Sequence, residues 1–163
     1  MIDMQNDLII RKAEDQDIDA ILELIIQFYK ESLKEYGLKI SIATIKNNIK
    51  VFIDNHIIII AEKNTDIIGV IAGIVVPSIF DDSQIIAQEI MWYINKDFRE
   101  GSSGLRLLKS FEDICRFLGV NKIYSGHTNN LNPDRLNKFL VRQGYTSMET
   151  HYIKNIGDKD ESI

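Results

Sequence analysis

The chain has 163 residues, of which 45% are hydrophobic and 26% charged, as expected for one ordinary globular domain over residues 1–163. Its net charge of −5 argues against a nucleic-acid-binding surface. No run approaches the roughly 18 apolar residues that a membrane-spanning helix needs, and residues 1–7 are acidic with no signal-peptide core. The single cysteine, Cys115, excludes an internal disulfide and suits a reducing cytoplasm.

Residues 8–13 read as a first strand. Asp15 is a plausible helix cap, with Asp17 and Asp19 in the favourable first turn. Ile18, Ile21, Leu22, Ile25, Phe28 and Tyr29 recur at helical spacing, so the helix extends to Tyr29 or Ser32. Gly37 breaks the pattern, and a second helix over residues 41–54 carries Ile42, Ile45, Ile49 and Phe52 on one face. Residues 56–62 form a continuous apolar strand. Asn64-Thr65-Asp66 is a turn, and residues 67–76 return as the other arm of an antiparallel hairpin. Gly69 and Gly73 inside that arm point to a bulge or to close approach by another backbone.

Pro77 ends the hairpin, and residues 84–95 form a central strand. A polar loop with glycine and serine follows, and a helix starts near Ser102 or Ser103. Leu105, Leu107, Leu108, Phe111, Ile114, Cys115 and Leu118 give that helix its apolar face, and Gly119 stops it. Cys115 lies in this stripe and is read as core rather than as a nucleophile. Residues 120–127 form a strand. Asn132-Pro133 opens a helix that Gly144 closes, and residues 145–155 form a last strand. The core is expected at about residues 8–156, with a frayed tail over 157–163.

The stretch 92–118 carries the chemistry. A strand, a glycine-containing loop and a helix start expose backbone N–H groups at the positive end of a helix dipole, which suits a phosphate or pyrophosphate. An ordinary βα turn accounts for the spacing equally well. Arg99, Arg106 and Lys109 supply local cations for an anionic ligand.

Arg99-Glu100-Gly101-Ser102-Ser103-Gly104 resembles the Arg/Gln-x-x-Gly-x-Gly/Ala loop of the GNAT acetyltransferase superfamily. Arg99 falls on its first position and Gly104 on its last. Ser102 replaces the middle glycine, and Gly101 sits one place early. The lead-in over residues 94–99 is similar to the family's Val-x-Pro-x-Tyr/Phe-Arg, with Lys96 for proline. Gly144-Tyr145 matches its Gly-Phe/Tyr after the last helix. The element order β α α β β β α β α β also matches, over about 150 residues.

The resemblance implies a mixed α/β (α+β) fold. Its central sheet has antiparallel N-terminal strands, is splayed between strands 4 and 5, and carries helices on both faces. It implies acetyl-CoA as donor cosubstrate, held by Trp92, Tyr93 and Ile94 and by Arg99, Glu100, Gly101, Ser102, Ser103, Gly104, Leu105 and Arg106. Residues 29–37 would lie where the family often lines its acceptor pocket; a solvated helix end is the simpler reading. The activity implied is transfer of an acetyl group to an amine acceptor, small molecule or protein, in the cytoplasm. Neither nucleic acid nor membrane is expected as a partner, and a homodimer is left open.

Glu89 is the candidate base. A carboxylate in a central strand is partly desolvated, which raises its pKa toward the working range; a structural carboxylate paired with a neighbouring cation or hydroxyl is the alternative. Alternation places Glu89, Met91 and Tyr93 on one strand face and Ile90, Trp92 and Ile94 on the other. The family's usual acid is a tyrosine four residues before the Gly-Phe pair, and here that position is Leu140. Tyr124, Tyr145 or water would have to substitute, with Tyr93 a further candidate; packing is the simpler role for each tyrosine. His56, His127 and His151 are too scattered for a metal site, and His127 is a lesser candidate for a functional role. The departures at Leu140 and Ser102 keep a second reading open, a catalytically silent protein of this fold that binds acyl-CoA or a protein partner. An unrelated nucleotide binder would need a parallel-sheet pattern, which the hairpin contradicts.

Overall fold

A computed structural model describes residues 8–157. The acidic opening and the tail beyond residue 157 lie outside the described residues. The described chain gathers into two compact units: the first runs from residue 8 to Phe28 and resumes over Ile40–Gly126, and the second holds Tyr29–Lys39 and residues 127–157.

The first unit contains β1 (Leu8–Lys12), α1 (Ile18–Phe28), α2 (Ile42–Asn55), β2 (Ile57–Lys63), β3 (Asp66–Pro77), β4 (Ile85–Ile94), α3 (Ser103–Phe117) and β5 (Lys122–Tyr124). The strands form one sheet in the order β1-β2-β3-β4-β5, antiparallel at the first three junctions and parallel between β4 and β5. The β2–β3 hairpin turns on Asn64 and Thr65, whose φ angles of 51° and 72° are those of a tight I′ turn. Ile59, Ile60, Val70 and Ile71 are fully buried in the sheet's centre, and burying side chains of this size contributes about 1.5–3 kcal/mol each.

Helices cover both faces. Gly69 and Gly73 face α3 so closely that an added Cβ would lie 3.3 Å from Leu107 Cδ1 and 2.6 Å from Phe111 Cζ, respectively. Val70 and Tyr93 are paired across the β3–β4 ladder and point the other way, where the Tyr93 ring meets Phe28 of α1 edge-on at 5.8 Å. The α3 residues Leu107, Leu108, Phe111 and Cys115 are buried as the apolar stripe predicts, and burial pushes the Cys115 thiol up to about 11. Leu118, at the helix end, stays half exposed.

The start of α1 differs from the simple cap expected at Asp15. A 3₁₀ turn, Asp15–Asp17, precedes the helix, and the buried Asp17 carboxylate accepts the Glu14 N–H at 2.7 Å. Arg11 of β1 grips both Asp17 oxygens at 2.8 Å and also reaches Glu62 of β2 at 2.9 Å. Asp15 instead pairs with Lys50 of α2. At α2 the sequence reading holds, with Ser41 Oγ accepting the Thr44 N–H.

In the second unit the chain leaves α1 through a π-helical turn, Tyr29–Leu33, and a 3₁₀ turn, Lys34–Tyr36. Asn130 donates to the Ser32 carbonyl at 3.1 Å and to Glu35 at 2.8 Å, and Tyr29 donates to the Leu38 carbonyl. α4 (Pro133–Arg142) begins with proline as predicted, although Asn132 is left-handed at φ 51° and its side chain caps nothing. The predicted last strand over 145–155 is not formed: these residues make no ladder, and Met148, Tyr152 and Ile153 stay exposed. An extended segment becomes a strand only when another strand takes up its backbone groups, so residue type alone did not decide it.

Candidate functional site

β4 and β5 part midway along their length. Their parallel pairing covers Ile86–Gln88 against Lys122–Tyr124 and stops there. β5 is therefore much shorter than the predicted 120–127, because the next residues turn to Glu89 instead of continuing the ladder: Ser125 Oγ donates to Glu89 Oε2 at 2.9 Å and the Gly126 N–H donates to the same oxygen at 3.3 Å. On its other edge β4 stays paired with β3 as far as Ile94. Among the described residues no strand pairs with β4 beyond Gln88 on its β5 side, so a gap opens between β4 and β5 there.

A bulge opens at the same place. Gly73 pairs with Glu89 and Ala72 with Met91, so Ile90 is an extra residue in β4 and is half exposed. This corrects the alternation expected from the sequence. One inserted residue reverses every assignment below it, so Glu89 shares the α3 face with Trp92 and Ile94, whereas Met91 and Tyr93 take the α1 face. Glu89 is partly buried, and burial pushes its carboxyl up to about 7 against the opposing pull of Ser125 and Gly126.

Beyond Ile94 the chain makes a compact turn. Asn95 N–H bonds the Ile68 carbonyl at 2.8 Å, and Asn95 Oδ1 accepts the Asp97 N–H at 3.0 Å. Arg99 folds back: its Nε donates to the Ile94 carbonyl at 2.9 Å and its guanidinium lies 5.2 Å from the Tyr93 ring centre. Gly101 has φ +119°, a conformation that side chains rarely adopt, and no neighbour crowds it. α3 then starts at Ser103. Arg106 N–H makes a bond to Ser102 O at 2.9 Å, and the Ser102 side chain does not cap the helix. The amides of Ser103, Gly104 and Leu105 head the helix at its positive end. Arg106 and Lys109 are exposed on the first turns. Such a turn suits phosphate oxygens better than a carbon ligand, because it presents N–H groups and cations beside an open gap.

A family model for the acetyltransferase (GNAT) family matches residues 18–145. The chain belongs to the GNAT acetyltransferase family. No curated protein sequence matches it. Solved structures share the fold at low identity. A Trypanosoma brucei acetyltransferase is 15% identical, with a TM-score of 0.72 over 92% of this chain and 100% of that one. Glucosamine-6-phosphate N-acetyltransferase from Arabidopsis thaliana is 16% identical, with a TM-score of 0.70 over 91% and 98%. An aminoglycoside N-acetyltransferase in complex with CoA is 13% identical, with a TM-score of 0.70 over 98% and 99%.

In this GNAT chain the residues singled out for the cofactor fall on three successive stretches. Trp92, Tyr93 and Ile94 edge the gap, Arg99, Glu100 and Gly101 make the turn, and Ser102 to Arg106 open α3. Within the first, Tyr93 is 2% exposed, so it offers the gap its backbone and not its phenol. At Gly104 an added Cβ would rest 3.5 Å from Trp92 Cζ2, an ordinary contact, so the need for glycine falls on Gly101. Tyr124 pairs with Gln88, which puts it on the α1 face with Tyr93 and apart from Glu89. Leu140 and Tyr145 belong to the second unit, where Leu140 is buried and its carbonyl accepts the Tyr145 N–H at 3.1 Å.

Sequence reasoning missed the partners of Glu89. Gly73 did signal a bulge or a close approach, and both occur there. Nothing tied Ser125 to a residue 36 positions earlier. Among the described residues no three His, Cys, Asp or Glu side chains stand together as metal ligands, and no helix is long and apolar enough to cross a membrane.

Proposed function

We propose that the protein is an acetyl-CoA-dependent N-acetyltransferase that moves the acetyl group directly to an amine within a ternary complex. The observation that carries this reading is Glu89, a partly buried carboxylate bonded through one oxygen to Ser125 and Gly126 where the β4–β5 ladder ends. The donor contributes an activated thioester. The amides of Ser103, Gly104 and Leu105, with Arg106 and Lys109, hold its pyrophosphate, and the backbone of Trp92 to Ile94 lines its arm.

Glu89 takes the proton of the attacking ammonium or amine, directly or through one water. Burial raises its carboxyl toward neutrality, which suits a group that accepts a proton and gives it up again in each cycle. The N–C bond forms as the C–S bond breaks. The thiolate is a tolerable leaving group, and water returns a proton to it. The reaction is expected in the cytoplasm, where the one thiol, Cys115, stays reduced inside the core.

The acceptor class we favour is a small amine. The Arabidopsis thaliana and CoA-bound neighbours are named for amino-sugar acceptors, so a panel of amino sugars, aminoglycosides, polyamines and peptide N-termini is the natural test. Release of free CoA that depends on one of these amines supports the reading. Tight acetyl-CoA binding with no amine-dependent release would favour instead a catalytically silent acyl-CoA binder or partner-binding protein, a reading supported by buried Leu140 at the position of the family's usual tyrosine.

A further inference from the structure

Glu89 is held through one oxygen. Its Oε2 accepts both Ser125 Oγ and the Gly126 N–H, whereas Oε1 accepts no hydrogen bond among the described residues. A carboxylate's terminal torsion is broad and roughly two-fold, so an untethered Glu89 would swing freely. Two donors from consecutive residues fix which oxygen is spent on the protein and which stays available. The donors also sit where the chain leaves β5, which is the point at which the parallel ladder ends.

We infer that Ser125 is a positioning residue for catalysis: with the Gly126 amide it clamps Oε2 of Glu89 and leaves Oε1 to take the acceptor's proton. This rests on the reading of Glu89 as general base. The surroundings make the clamp the main polar influence on the carboxylate. Across the ladder stands Gly73 of β3, from α3 comes the Phe111 ring that covers Gly73, and from the chain just beyond β5 come Ser125 and Gly126; none of these is charged. Donors of this kind favour the ionised form, so they oppose the effect of burial. The Gly126 amide survives every substitution but proline, whereas the Ser125 hydroxyl is removed without touching the backbone, which makes Ser125→Ala the informative change.

The experiment titrates the Glu89 side-chain carbon by NMR in glutamate-labelled protein, with Glu89→Gln identifying the resonance, and measures kcat/KM against pH on the same preparations. Ser125→Ala should raise the Glu89 midpoint by about one pH unit, roughly tenfold in the acid constant. The rising limb of the rate profile should move with it, with CoA affinity unchanged. Ser125→Thr, which keeps a hydroxyl, should return both toward wild type and controls for misfolding. An unmoved Glu89 midpoint in Ser125→Ala overturns the clamp, even when Glu89→Gln abolishes the limb and the base reading stands. A midpoint that moves while the rate limb stays put, or a limb that survives in Glu89→Gln, overturns the base reading and with it the catalytic role of Ser125.

Discussion

Gly73 stands opposite Glu89 across the β3–β4 ladder, and the Phe111 ring occupies the space that a Gly73 side chain would need. An added Cβ would come within 2.6 Å of Phe111 Cζ and 2.8 Å of the Gln88 carbonyl. The pairing joins the helix α3 packing to the bulge that turns Glu89. Gly73→Ala should therefore destabilise by about 1–3 kcal/mol through overpacking and lower the melting temperature by several degrees. Phe111→Leu in the same chain should recover part of that loss, so a double-mutant cycle should be non-additive. Additive losses would place the strain elsewhere.

The turn before α3 yields a contrast between its glycines. Gly101→Ala puts a Cβ on a backbone at φ +119°, so the turn must rearrange or carry strain. CoA binding, measured by calorimetry, should weaken by about tenfold, or 1.4 kcal/mol. Gly104→Ala adds only a 3.5 Å contact with Trp92 and should leave affinity within about threefold. The reverse order would show that the ligand approaches at Gly104.

Asp17 governs the acid limb of stability. Arg11 holds its carboxyl below the usual aspartate value, and Asp17 is 4% exposed. A depressed carboxylate contributes stability that is fully present above the unfolded value near 4 and is lost as pH falls through the lower folded value. Denaturant melts should show that loss in the wild type and a flatter acid limb in Asp17→Asn. Arg11→Met leaves a buried charge without its main partner and should cost about 3 kcal/mol or more at neutral pH.

Glu89 has the opposite sign. Its folded value of about 7 lies above the ordinary one near 4.5, so its contribution is present below pH 4.5 and is lost as pH rises through 7. The loss is at most on the order of 3 kcal/mol. Glu89→Gln should therefore melt higher than wild type at pH 8, with the advantage shrinking toward pH 5. Equal melting temperatures at both pH values would mean that burial does not strain the ionised form.

Much of this architecture was legible because it rests on local rules. Asn64-Thr65 marked the hairpin, the 3.6-residue stripe marked α3, and the proline at position 133 marked the start of α4. The site was legible less evenly. The loop over 99–106 and Glu89 could be named as candidates, but not the direction in which Glu89 points, because one bulged residue, Ile90, inverts a two-residue period. Ser125 and Gly126 were out of reach because their contact with Glu89 is set by where a parallel ladder stops, a property of two strands together. The strand read over 145–155 failed for the same reason: its residues suit a strand, but no ladder forms there.

The most direct test of the account is the pH dependence of kcat/KM for amine-dependent CoA release, in wild type and Glu89→Gln, with CoA affinity measured alongside. The wild-type rate should rise through an apparent pKa of about 7. Glu89→Gln should lose roughly 10²–10⁴ at neutral pH, a loss that shrinks as pH rises because more of the amine is already neutral, with CoA affinity unchanged. A folded Glu89→Gln protein with full activity at neutral pH and the same rising limb would contradict the account.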